Sequence, residues 1–176
     1  MNEKDNRMHV SGASTSREWI IRNRSETIGS IMDSLEIVRE AVFGAIVRTG
    51  RAPNAGSVAA KAGLSLDQVR SALRALADAH VIALGPGGES IRIAPPFAAG
   101  KTRYRVRSGQ RSWYAPCAWD AFGIPAALHV DAEIDACCAH SHEPIECGVR
   151  GGTAYGKGVV HLLVPAARFW DDIVYT

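Results

Sequence analysis

Residues 114 to 120 read Tyr-Ala-Pro-Cys-Ala-Trp-Asp and set a thiol, Cys117, three positions ahead of a carboxyl group, Asp120. Pro116 fixes the backbone just before the cysteine. A helix starting beyond it would leave the thiol at the helix N-terminus, where unpaired amides and the macrodipole favour a thiolate. The three-residue step puts Asp120 on the same helix face, so a reactive thiol and an acid would share one pocket. A plainer reading uses the same spacing: Cys117 as a small buried apolar residue and Asp120 as a solvated helix residue.

Three other groups of residues invite chemistry. Cys137-Cys138-Ala-His140-Ser-His142, with Cys147 nearby, raises the prospect of a structural zinc site. Its spacing argues against one, because paired Cys-x2-Cys units are the strong zinc signal and adjacent strand residues point to opposite faces. The run Ser65 to Ala79 has Gln68, Arg70, Ser71 and Arg74 on or near its polar side and a hairpin after it, the order of a DNA recognition helix and wing. Asp67 and Asp78 dilute that charge, which makes nucleic acid the rival partner and not the expected one. Arg103, Arg105 and Arg107 line one face of a strand and either bind an anion or protect a sheet edge.

These residues need a scaffold. A chain of 176 residues, 47% hydrophobic and 22% charged, can bury a core in one compact domain or two small ones. No apolar run reaches membrane-spanning length and the N-terminus has no signal-like apolar segment, so a soluble cytoplasmic protein without membrane contact is expected. All four cysteines lie in the second half, which points to reduced thiols or metal ligands instead of a disulfide framework. The net charge of +2 hides an asymmetry: residues 52–111 hold nine Lys or Arg and three Asp or Glu, and residues 112–176 hold three and eight. Two subdomains that attract each other would fit this split, as would a nucleic-acid contact in the middle.

The expected order begins with a flexible tail over residues 1–29. Ile31, Leu35, Val38, Val42, Phe43, Ile46 and Val47 recur at helical steps, predicting a first helix over 30–48. A short helix over 57–62 closed by Gly63 follows, then a third helix capped by Ser65, with Gln68 completing a capping box. Val81 to Leu84, the turn Gly85 to Gly88, and Ser90 to Ile93 form a hairpin. Three helices and a hairpin resemble a winged helix-turn-helix subdomain, assigned here to residues 30–98. Beyond it, residues 99–176 predict strands at 102–107, 111–114, 132–138, 145–149 and 159–164. A helix begins at Ala118 and is interrupted by Gly123 and Pro125, and an element of helical and strand character runs over 166–175. The fold class expected is therefore α+β: a winged-helix-like three-helix subdomain followed by a small mixed β-sheet subdomain.

Tyr114-Ala-Pro-Cys-Ala-Trp-Asp120, the following Ile124-Pro125-Ala126, and Cys138 twenty-one residues after Cys117 resemble the organomercurial (alkylmercury) lyase family. The resemblance spans about residues 102–175, and the winged-helix-like segment before it agrees with the family's domain order. It implies an enzyme of organomercurial detoxification that breaks the carbon–mercury bond by protonolysis. Cys117 would grip mercury, and Asp120 would take the thiol proton and return it to the leaving carbon. The resemblance also implies no organic cofactor, an external thiol for product release, an organomercury compound as substrate and a mercury(II) reductase as acceptor. The family completes a dithiolate site with a second cysteine, whose matching position is the residue after Thr176; the implied alternatives are a truncated member or an inactive mercury-binding relative. Cys138 is the candidate accessory ligand, although the matching family thiol looks structural.

Overall fold

The computed structural model describes the backbone of residues 16–173 and the side chains of residues 32–173. By its internal contacts the chain divides into two units, Met1–Asp33 and Ser34–Thr176. The first holds the start of helix α1 (Ser16–Thr49). Residues 1–15, where part of the expected tail falls, lie outside the described residues, and from Ser16 onward the chain is helical instead of irregular.

The second unit contains the end of α1, α2 (Ala55–Ala62) and α3 (Leu66–Asp78). Asn54 caps α2 by accepting from Ser57 N at 2.8 Å, and Gly63 ends it in the left-handed conformation, φ 67°. The capping box of α3 forms in full: Ser65 Oγ accepts from Gln68 N at 3.2 Å, and Gln68 Oε1 accepts from Ser65 N at 2.9 Å. Four backbone donors at each helix start need such partners, so these two bonds explain why α3 begins where it does.

Among the described residues eight strands follow: β1 (Ala83–Leu84), β2 (Ile91–Ala94), β3 (Phe97–Ala98), β4 (Tyr104–Ser108), β5 (Arg111–Ala115), β6 (Ala132–Cys137), β7 (Pro144–Arg150) and β8 (Thr153–Gly156). Helix α4 (Ala118–Leu128) lies between β5 and β6 in sequence. The strands make one sheet in the order β1-β2-β3-β5-β4-β6-β7-β8, so the architecture is α+β. Every pairing is antiparallel, which replaces the mixed sheet expected. The reason is local: α4 carries the chain from β5 across β4 to β6, and β4 separates the two strands that run in the same direction.

The residues expected as two subdomains share this sheet. The missed strand β3 joins them by pairing with β2 through Ile93 and Ala94 and with β5 through Tyr114. One buried cluster accordingly runs from Val38, Val42 and Ile46 through Val69, Leu73 and Leu76 to Val106, Trp113, Ile124, Ile134 and Cys147. Trp113, 2% exposed, donates its indole N–H to Val47 O at 3.1 Å and ties the sheet to α1. Gly50, at φ 69°, ends α1 directly against the Ser112 carbonyl, where any side chain would collide.

Two expectations differ at the C-terminal side. Val159 to Val164 forms no strand, with Val159 94% exposed, and the strand after β7 is β8 instead. Arg150 and Thr153 pair across Gly151 and Gly152, both at positive φ, so the turn that makes a hairpin falls earlier than the apolar run. Gly156 and Gly158 then take the chain off the sheet at φ 135° and 143°. Ala166–Asp171 is a 3-10 helix whose Trp170 stacks on His80 at 4.5 Å, and residues 174–176 lie outside the described residues. No helix among the described residues is long and apolar enough to cross a membrane.

Candidate active site

Cys117 stands at the joint between β5 and α4. The strand ends at Ala115, which is fully buried, and Pro116 leads into an extended Cys117, φ −141° and ψ 175°, that serves as the N-cap of α4. The helix continues through Gly123 and Pro125 to Leu128, which corrects the expected interruption. Pro125 forfeits one backbone hydrogen bond inside the helix, but it is fully buried beside Ile124 and Ala121, and this packing outweighs the loss. Gly123 permits the close approach of α4 to the chain before β3, since a Cβ there would lie 3.3 Å from Pro96 Cβ.

The three-residue step brings the thiol and the acid together as expected. Cys117 Sγ donates to Asp120 Oδ2 at 3.1 Å and accepts from Asp120 N at 3.4 Å. Both residues are partly buried, and Trp119, between them in sequence, is exposed.

The protonation state is the reverse of the thiolate expected from a helix N-terminus. Burial pushes the Cys117 thiol up to about 11, and the Asp120 carboxylate adds to the rise by accepting the thiol proton and by its charge. The backbone N–H groups of Asp120 and Trp119 pull the other way and do not prevail. Burial also raises the Asp120 carboxyl above its ordinary value, against the lowering effect of the bond from Cys117. At neutral pH the pair is therefore a protonated thiol beside a carboxylate whose affinity for a proton is enhanced. A soft ligand and a proton acceptor sit in hydrogen-bond contact, an arrangement able to bind a thiophilic metal and relocate the displaced proton.

The alkylmercury lyase family model, MerB, matches residues 97–176, the part of the chain from β3 onward that holds this pair. This part of the chain is similar to alkylmercury lyases. Among solved structures, one described as the mercury-bound form of MerB2 is 28% identical, with a TM-score of 0.54 over 70% of this chain and 58% of that one. The chain thus spans less than two thirds of that relative's length. A comparison with curated protein sequences returns no match.

The other expected site residues are dispersed over the part of the chain that matches the family model. Cys138 follows β6, in the turn toward β7, where its N–H bonds Glu143 O at 2.9 Å. Tyr104 pairs with Ala115, and Arg105 with Asp135, so β5 and β6 end at the same edge of the sheet with β4 between them. That places the strand ends preceding Cys117 and Cys138 about 10 Å apart at ordinary strand spacing. Hydrogen bonds from Ser141 and the His140 backbone lower the Cys138 thiol's pKa. Cys137 is exposed and Cys147 is buried with Sγ 3.7 Å from Ile134 O. No group of His, Cys, Asp or Glu able to hold a metal ion occurs among the described residues, so Cys137, Cys138, Cys147, His140 and His142 do not assemble into a zinc site.

The arginine stripe does not protect a sheet edge. β4 is interior to the sheet, not an edge. Arg107 pairs with Asp135 at 2.8 Å and with Glu133 at 3.1 Å, and Arg105 bonds Ser112 Oγ at 3.1 Å, so acids on β6 answer the charge. An open cleft of about 560 Å³ on this face includes Arg103, Arg107 and Cys137 but not Cys117 or Asp120. On α3, Gln68 is engaged in the capping box, and Arg70 contacts Asp67 at 3.7 Å and Glu89 of the hairpin at 3.3 Å. These contacts withdraw two of the four residues expected to read DNA.

Proposed function

We propose that this chain cleaves the carbon–mercury bond of alkyl or aryl mercury compounds, releasing a hydrocarbon and mercury(II). The observation that carries the reading is the 3.1 Å contact of Cys117 Sγ with Asp120 Oδ2 inside the residues that match the alkylmercury lyase family. The organomercurial enters as substrate. Its mercury bonds to Cys117 Sγ, and the displaced thiol proton passes to Asp120. Asp120 then delivers that proton to the carbon, whose pair of electrons leaves the carbon–mercury bond to form the carbon–hydrogen bond. Mercury(II) stays on sulfur, and Asp120 is again a carboxylate.

The raised proton affinity of Asp120 suits the first half of this cycle, the uptake of the thiol proton. A carboxyl group of ordinary acidity would accept a thiol proton less readily at neutral pH, and burial is what strengthens it here. No organic cofactor enters these steps. An external thiol would compete mercury(II) away from Cys117, and a mercury(II) reductase would be a suitable acceptor. Cys138 is the candidate accessory ligand.

Incubation with a phenylmercury salt and excess thiol, with benzene measured in the headspace, tests the reading. The wild type is expected to release benzene, and Cys117→Ala and Asp120→Asn to reduce release to background. Equal release from all three would refute it. A gel shift at several salt concentrations addresses the rival function, since tight sequence-selective binding would favour a DNA-reading α3.

A further inference from the structure

Between the end of the sheet and the thiol lies a hydroxyl that the catalytic pair itself does not require. Thr102 Oγ1 donates to Ala115 O at 2.6 Å, also lies 3.2 Å from Tyr104 O, and accepts from Tyr104 N at 3.1 Å. Ala115 is the final residue of β5 and pairs with Tyr104, the first residue of β4. The hydroxyl therefore occupies the last rung of the β4–β5 ladder, and the next two residues of the chain are Pro116 and Cys117.

That rung is where the ladder is most prone to fray, because no further strand pair follows it. The opposite side of the joint is already fixed by α4, through the buried Ala121 and Ile124 and the close approach of Gly123 to Pro96. A free strand end would let Cys117 swing out of its N-cap position even with α4 in place. We propose that Thr102 is a positioning residue that anchors the end of β5 and thereby holds Cys117 Sγ against Asp120. The inference rests on the lyase reading for its purpose, but its geometry can be tested without turnover.

The test is the pH dependence of Cys117 alkylation by iodoacetamide, read by mass spectrometry of the peptide containing it. Thr102→Val keeps the side-chain shape and removes the hydroxyl, Thr102→Ala removes it without demanding space, and Thr102→Ser restores it. In the folded wild type the thiol titrates near 11 because it is buried against a carboxylate. Release of the strand end exposes it, so Thr102→Val and Thr102→Ala are expected to lower the midpoint and to raise alkylation at pH 8 by about threefold or more. Thr102→Ser is expected to stay within about twofold of wild type.

Circular dichroism melts on the same samples separate positioning from folding. Unchanged alkylation in folded Thr102→Val and Thr102→Ala would overturn the proposal, as would an equal change in Thr102→Ser. Unfolding of both hydroxyl-deleted variants at 25 °C would also overturn it, since Thr102 would then hold the fold and not the site. Failure of the benzene assay with these alkylation results intact would refute the lyase reading alone.

Discussion

Asp120→Asn removes the carboxylate charge while leaving a side chain of the same shape at the start of α4. In the wild type the Cys117 thiol stands at about 11 against an ordinary 9.0, with burial as the first cause and the carboxylate's hydrogen bond and charge as further upward causes. The substitution leaves burial in place, so the midpoint should fall by about one unit or less and should not return to the ordinary value. At pH 8 a thiol at about 11 is ionised to about one part in a thousand, and a fall of one unit raises that about tenfold. The less basic thiolate is also a weaker nucleophile, by about threefold per unit, which leaves a net gain in alkylation of about threefold. Peptide-resolved iodoacetamide alkylation between pH 7 and 11.5 reads both quantities. An unchanged or raised midpoint in the folded variant would refute the assignment of Asp120 as the partner that holds the thiol proton.

Other perturbations test the scaffold and its linkage to pH. Because the folded thiol of Cys117 titrates higher than the unfolded one, its contribution to stability is fully present below pH 9.0 and is lost as pH rises toward about 11. Urea titrations should therefore show wild type losing stability over that window relative to Cys117→Ala; parallel curves would contradict the burial argument. Asp120 carries the same sign, its raised folded value meaning that ionisation costs stability, so Asp120→Asn should raise the melting temperature at pH 7. Ser65→Ala deletes one half of the α3 capping box and should cost about 1 kcal/mol by urea denaturation. Trp113→Ala should cost about 3 to 5 kcal/mol, because it empties a site in the middle of the shared core and removes the bond to Val47 O.

The parts legible in the sequence were those governed by local rules. Ser65 and Gln68 announced their capping box three residues apart, and the strands expected at 102–107 and 111–114 left only a short connection between them, which is the β4–β5 turn. The proximity of Cys117 and Asp120 followed from helical spacing alone. Features that depend on what packs against what were not legible. The direction of the thiol's shift turns on burial, which a helix N-terminus cannot reveal. β3 is two residues long and follows two prolines, so no periodicity marks it, yet it fuses the expected subdomains into one sheet. The interior place of β4 depends on β6 returning beside it after α4, and that return takes the stripe off the edge and pairs Arg107 with Glu133 and Asp135. Val159 to Val164 has strand composition but no partner among the described residues, while Thr153–Gly156 has weaker composition and a turn that delivers it to β7. Composition proposes strands, and neighbours decide them.

In the proposed cycle Cys117 and Asp120 together move one proton onto the carbon that leaves mercury. A single turnover of phenylmercury in deuterium oxide, with the benzene analysed by mass spectrometry, tests this directly. One deuterium is expected in each benzene released by the wild type, with release lost in both Cys117→Ala and Asp120→Asn. Benzene formed at the wild-type rate by Asp120→Asn, or no release by the wild type above the two variants, would contradict it.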